Sequence, residues 1–370
     1  MIKFLSALLP LFFVTAICNG QDKQFTIIKN NPATSVKNQG QSGTCWCYST
    51  TAMTESELLL NKEPAFDLSE TFTVYNLYID KAIKYIRRRG NTRFAEGGLA
   101  QDMLNAIASY GAVPQEVYPG IGGDTIMYHD YKMEAQLKSY LDSILNSNRD
   151  TIPPGWKDGY VKILNGYLGE PPAAFKYNGE EYTPKSFAAK FVKEKPDDFI
   201  GLTSFTHHPF YTSFVMEVPD NYNSNAYYNL PLNELINTVE DCIMKGYTIA
   251  WDADVSNKGF RQRKGVAMWV NDKSESDNFP NFKEDAYTQE IRQELFDKQI
   301  TQDDHLMQIT GIAKDADGNK YFIVKNSWGL VGPFQGFIYV SIPYFAINTI
   351  SVVVDKRAVS KKEMEKLAMK

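Results

Sequence analysis

NQGQSGTCWCYST, residues 38–50, joins a loop to a helix and places a cysteine at the joint. Residues 37–44 are rich in Gly, Ser, Gln and Asn, the composition of a loop. From Cys45 the run CWCYSTTAMTESELLLNK carries apolar residues at Trp46, Met53 and Leu60, with Glu55 and Glu57 at other positions, and it stops near Asn61 and Pro64. The pattern predicts a helix of about four turns, with Thr44 as its N-cap. A cysteine in the first turn of such a helix is biased toward attack, because the partial positive charge of a helix N-terminus favours the thiolate by roughly 0.3–1 kcal/mol. An imidazolium within hydrogen-bonding distance does far more. The chemistry therefore needs a histidine from elsewhere in the chain and a third polar group to hold its ring. Gln39, six positions before Cys45, can offer an amide donor to an oxyanion beside the Cys45 backbone N–H, a contribution of ~2.7–4 kcal/mol to a transition state.

General bases are scarce. The chain has four histidines, His129, His207, His208 and His305. His207 and His208 precede Pro209 in a loop-like stretch with no evident orienting partner. HExxH zinc sites, CxxC pairs, the GxSxG elbow and the GxxxxGK[ST] phosphate loop are absent, so neither a metal nor another cofactor is expected. Cys47 and Cys242 read as packed core thiols. Cys45 and Cys47 are poor partners for a disulfide, since residues two apart on a helix point in different directions.

The 370 residues, 43% hydrophobic and 13% aromatic, can bury one large domain or two closely packed lobes. Basic and acidic residues, 39 against 44, give a formal charge of −5 with no long block of one sign, which disfavours a nucleic-acid partner. Residues 1–20 read as a secretory signal peptide: Lys3, an apolar run over residues 4–17, then Cys18, Asn19 and Gly20. Cleavage after Gly20 would leave Gln21 as the new amino terminus and an exported protein, periplasmic or extracellular. Lipoprotein anchoring through Cys18 is disfavoured by the bulky Ile17 before it. No later stretch is apolar for long enough to cross a bilayer. The three remaining cysteines do not make a disulfide framework.

Along the rest of the chain, helices are expected at residues 69–88, with Ser69 as cap, and at residues 100–110, ending at Gly111 with Pro114 beyond. Residues 128–283 form a long segment whose clear elements are a helix at 232–244 and a strand within 247–255. Four strands follow, at 307–313, 321–326, 336–342 and 350–354, with Asp317-Gly318 as a tight turn between the first two. A helix-rich first half and a strand-rich second half predict an α+β protein of two lobes.

Three segments together resemble papain-like cysteine peptidases. NQGQSGTCWCYST resembles their active-site segment, in which a Gln precedes the nucleophile by six positions and a Trp follows it. DDHLMQITGIAKDADGNKYFIVKNSWG, residues 303–329, resembles the family's histidine strand and its Asn-Ser-Trp-Gly turn. EGGLAQDMLNAIASYGAVPQEVYP, residues 96–119, resembles the Gly-Gly strip and the helix after it. The resemblance implies Cys45 as nucleophile, His305 as general base, Asn326 as its orienting group and Trp328 as the indole that shields their hydrogen bond. It also implies that Gly97 and Gly98 let substrate backbone lie close. Two departures narrow the branch. Ser42 stands where the family commonly has a disulfide cysteine, and the span from Cys45 to His305 far exceeds the ~130–150 residues usual for papain and cathepsins. Both features resemble the bleomycin hydrolase and aminopeptidase C branch. Its members are typically cytoplasmic homohexamers whose C-terminal tail enters the cleft.

The expectation is therefore a papain-like cleft between a helical and a β-rich lobe in residues 21–355, with residues 128–283 as a long insertion and 356–370 as a charged tail. The chain would hydrolyse peptide substrates through an acyl-enzyme on Cys45, as an aminopeptidase on short peptides. An endopeptidase of the same fold and a catalytically silent peptide-binding protein are the rivals. Acyl transfer to an amine is disfavoured by Asn326, where an aspartate would be expected. A homo-oligomer, and a tail that caps the cleft, stay open at this point.

Overall fold

The computed structural model of the chain describes residues 23–121, 130–147, 151–193, 195–270, 279–280 and 282–368. The signal segment 1–20 with Cys18, the start at Gln21, and His129 lie outside the described residues.

After strand β1 (Thr26–Asn30) the first half is helical, with α1 (Cys45–Leu60), α2 (Glu70–Arg87), α3 (Ala100–Tyr110), α4 (Asp130–Ser147) and α5 (Trp156–Leu168). Ser69 caps α2 as the sequence predicts, its Oγ accepting from Phe72 N at 3.1 Å. Thr44 stands at the N-cap of α1 but makes no cap hydrogen bond; its hydroxyl lies 2.5 Å from Ser42 Oγ instead. Gly111 ends α3 at a φ of 89°, and a Cβ there would strike the backbone of Pro184.

Every residue of α1 from Cys45 to Leu58 is buried, so the positions Trp46, Met53 and Leu60 are only part of its contact surface. The helix runs between α2 and α3 on one side and the sheet on the other. Several of its buried polar groups find partners from both sides. Glu55 accepts from Thr34 Oγ1 at 2.5 Å and Leu68 N at 2.9 Å, and Glu57 pairs with Arg357 at 3.2 Å.

The hairpin β2 (Phe175–Tyr177) and β3 (Glu180–Tyr182) and the short helix α6 (Pro184–Phe187) lead into the second half. There β4 (Phe199–Thr203), β5 (Ser213–Val215), β6 (Ala226–Asn229), α7 (Leu232–Met244), β7 (Ile249–Ala253), β8 (Phe260–Arg261) and β9 (Val266–Ala267) follow. Then come α8 (Gln289–Asp297), β10 (His305–Lys314), β11 (Lys320–Lys325), β12 (Phe337–Ser341), α9 (Ile342–Asn348), β13 (Thr349–Asp355) and α10 (Lys361–Lys366). The sheet has the order β5-β6-β4-β13-β7-β10-β11-β12-β9-β8, with β1 also paired to β10. Strands β4 and β7, from the long segment 128–283, lie inside this order, so the segment is woven into the sheet rather than appended to it.

Two main cores result. One gathers Trp46, Met53, Phe72, Tyr78, Leu137 and Leu164 among the helices. The other lies between the sheet and helices α7 and α9, with Trp251, Ile309, Phe322, Leu235 and Phe345. This is the α+β, two-lobed architecture read from the sequence. The tail joins the second core: Ala358, Val359 and Leu367 are buried there, Glu363 accepts from Thr238 Oγ1 at 2.6 Å, and Lys366 pairs with Glu234 at 2.7 Å. Among the described residues no helix is long and apolar enough to cross a membrane.

Candidate active site

Cys45 begins α1, and His305 begins β10, which pairs with β7 through His305↔Ala253. The two elements are locked in register by polar contacts across the lobe boundary. Ser49 Oγ donates to Met307 O at 2.7 Å, and Gln308 Nε2 lies 2.9 Å from Ala52 O and 2.8 Å from Ser56 Oγ. The loop before α1 is tied to the turn after β11 in the same way. Gln39 N donates to Ser327 O at 2.8 Å, Gly329 N to Lys37 O at 3.0 Å, and Ser327 Oγ to Gln39 Oε1 at 2.5 Å. Segments far apart in sequence thus place Cys45, His305, Asn326 and Gln39 in one buried neighbourhood.

His305 Nε2 donates to Asn326 Oδ1 at 2.8 Å, which leaves Nδ1 as the ring's other polar atom. Asn326 Oδ1 also accepts from Ser327 N at 2.7 Å, while its Nδ2 donates to Gln262 Oε1 at 3.0 Å. Gln262, which the sequence reading did not single out, therefore fixes which face of the Asn326 amide meets the imidazole. Trp328 lies over the His305 ring, 4.6 Å between centroids at 27°, and Phe260 meets Trp328 edge-on at 5.8 Å. Gln39 is 4% exposed and its Nε2 donates one hydrogen to Ser42 O at 2.7 Å; an amide nitrogen has a second to give. The Cys45 N–H belongs to the first turn of α1, where backbone donors lack intrahelical acceptors.

Burial dominates the electrostatics. It pushes the Cys45 thiol up to about 12, with Asp303, Asp252 and Asp220 adding to the rise and the Leu306 backbone N–H opposing it. It also pulls His305 down to about 4, against the hydrogen bond that the ring donates to Asn326. The helix N-terminus expected to favour the thiolate is outweighed by burial, which favours the neutral thiol and the neutral imidazole.

The cleft beside Cys45 has a volume of about 260 Å³ and is lined on one wall by Trp46, Ala95, Glu96, Gly97 and Gly98, and elsewhere by Arg93, Asp220, Asp303 and Leu306. Lys81, buried below this wall, donates to the carbonyls of Ala95 at 2.7 Å, Glu96 at 3.1 Å and Gly97 at 2.5 Å. A Cβ on Gly98 would meet the Trp46 indole at 3.2 Å, and one on Gly97 would meet the Asp220 carboxylate at 1.8 Å. No residue from 356–368 lines the cleft.

His207 and His208 stand elsewhere, their Nε2 atoms on the two oxygens of Glu217 at 3.1 and 2.7 Å. Gln293 Nε2 donates to His207 Nδ1 at 3.0 Å, so His207 Nε2 carries the proton and has no lone pair free for a metal. Neither ring lines the Cys45 cleft. Cys47 and Cys242 are buried free thiols, packed as the sequence predicts.

Residues 15–370 match the model of the Peptidase C1-like family. The chain is similar to Aminopeptidase G of Lactobacillus delbrueckii subsp. lactis, 24% identical over 381 residues that span 91% of this chain and 84% of the relative. It is also similar to Aminopeptidase C of Listeria monocytogenes, 24% identical over 377 residues, 89% of this chain and 82% of the relative. Among solved structures, PepW from Lactobacillus rhamnosis superposes with a TM-score of 0.72 at 20% identity, covering 93% of this chain and 84% of its own. That likeness shows the fold, which is papain-like.

Proposed function

The chain belongs to the Peptidase C1-like family, and from that premise we propose that it is a cysteine aminopeptidase in which Cys45, His305, Asn326 and Gln39 hydrolyse peptide bonds. The observation that carries the reading is the His305 Nε2 to Asn326 Oδ1 hydrogen bond, which leaves Nδ1 as the ring nitrogen to exchange a proton with the thiol. His305 Nδ1 takes the Cys45 proton as Sγ attacks the scissile carbonyl carbon. The oxyanion is met by the Cys45 N–H and the second hydrogen of Gln39 Nε2. Collapse breaks the C–N bond, the imidazolium protonates the leaving amine, and water then releases the acyl group by the same path in reverse. Trp328 keeps solvent from the His305 to Asn326 bond, and the cleft wall at Gly98 receives the substrate, because the Asp220 carboxylate fills the space against Gly97 that the sequence reading left for substrate backbone.

Aminopeptidase action is favoured by the relatives, which carry aminopeptidase names over most of their length. Export of the chain rests on the apolar run over residues 4–17 behind Lys3. The test compares purified protein with Cys45→Ala on fluorogenic peptides with free and with acetylated amino termini. We expect cleavage of free-terminal substrates that vanishes in the variant. Residual cleavage in Cys45→Ala would sink the mechanism, and a preference for acetylated substrates would point to an endopeptidase. A wild-type protein that binds peptides without cleaving them would be the silent member of the fold.

A further inference from the structure

Among the described residues, 356–368 pack on the second core and none of them lines the cleft. The loop between β5 and β6 reaches into that cleft at Asp220. Its Oδ2 lies so close to Gly97 that a Cβ there would overlap it, and no peptide chain fits between the two. Asp220 Oδ1 is buried and receives no hydrogen bond; its ion-pair partner is Arg93, half exposed, with Nε at 3.4 Å. Asp303 lines the same cleft, backed by Asp252, which is 1% exposed. Asp303 Oδ2 and Asp252 Oδ1 are also buried with no N–H or O–H donor from any other residue. The two carboxyls share a hydrogen bond with each other, and burial raises both, Asp303 to about 7, with the charge of Arg93 opposing the rise at Asp303.

The loop is held rigidly. Asn221 Nδ2 donates to Met216 O and Asn225 O, both at 2.9 Å, and Asn221 Oδ1 accepts from Asn225 N at 2.7 Å. Asn223 and Asn225 both donate to Asp102 of α3, at 2.5 and 2.9 Å. The buried ring of Tyr222 lies under the ammonium groups of Lys81 and Lys84, at 4.9 and 4.8 Å. A carboxylate fixed in this way, short of donors, beside a nucleophile and against a backbone wall, is suited to a cation carried on the substrate's main chain.

We propose that Asp220, facing Asp303 across the cleft, binds the α-ammonium group of the substrate's first residue and blocks longer chains, so that an internal loop enforces aminopeptidase specificity. The proposal rests on the aminopeptidase reading above. A main-chain ammonium is two bonds from the scissile carbonyl carbon, which matches a carboxylate packed on the Gly97 backbone better than a basic side chain would.

The experiment measures kcat/KM for alanyl, N-acetyl-alanyl and N-acetyl-arginyl amides on the wild-type protein, Asp220→Asn and Asp220→Glu, with near-UV circular dichroism to check folding. In Asp220→Asn the value for the free-amine substrate should fall at least tenfold, mainly through KM, while that for N-acetyl-alanyl amide holds or rises. Asp220→Glu should keep the preference for a free amine. Should neither variant fold, the wild-type protein should bind an alanyl amide inhibitor at least tenfold more tightly than its des-amino analogue, and equal binding would overturn the proposal. An unchanged preference in Asp220→Asn, with the wild type still favouring free termini, overturns the role of Asp220 alone. An equal loss on N-acetyl-arginyl amide overturns it too, because the carboxylate would then serve a side chain. A wild-type preference for acetylated substrates removes the aminopeptidase reading itself, and with it this assignment.

Discussion

At the scale of single residues, part of the proposed reactive set stands in local patterns with a physical reason, while His305 and Asn326 take their roles from the resemblance to papain-like peptidases. Cys45 follows a Gly-rich loop at a helix start, and Asn326 opens an Asn-Ser-Trp-Gly turn. Gln262 was not legible. It sits in a short turn of unremarkable composition, and only folding brings its Oε1 to 3.0 Å from Asn326 Nδ2. Removing it frees the Asn326 amide to turn its nitrogen toward His305, which cannot accept from it while Nε2 carries the proton. Gln262→Ala should therefore lower kcat about tenfold, the worth of one buried hydrogen bond, with KM little changed. Gln262→Glu, which keeps an acceptor, should recover most of the loss. Steady-state kinetics on both variants checks this, and an unchanged kcat in Gln262→Ala would remove it from the site.

At the scale of elements, helix α1 shows how tertiary burial overrides a sequence pattern. Its apolar positions are sparse, yet all its faces from Cys45 to Leu58 are covered, because two lobes close on it at once. Glu57 illustrates the cost. Burial, with Asp355 close by, pushes its carboxyl from 4.5 up to about 8, while Arg357 on the other side lowers it. Between those values the folded protein holds a proton that the unfolded chain has released, so this group's contribution to stability falls as pH rises through the window. Each unit of such a shift corresponds to about 1.4 kcal/mol. Glu57→Gln keeps the shape without the titration. Its unfolding free energy should drop less than the wild type's between about pH 5 and pH 8 in denaturant melts. Parallel pH dependence in the two proteins would refute the shift.

At the scale of the whole molecule, the tail is a structural element. Leu367 is 3% exposed in the core beneath α7, so Leu367→Ala should cost about 2–5 kcal/mol of stability. The variant's preference for free over acetylated amino termini should be unchanged at temperatures where it stays folded. A shift toward acetylated substrates in this variant would return the tail to the cleft. The sequence by itself determined the α+β class and the main helices and strands, because periodicity, caps and turn chemistry act over a few neighbouring residues. The tertiary structure alone decided the rest: the weaving of residues 128–283 into the sheet, the burial of Cys45 and His305, and the place of Asp220 against Gly97. These depend on burial and on contacts between residues far apart in the chain, and no local pattern records them.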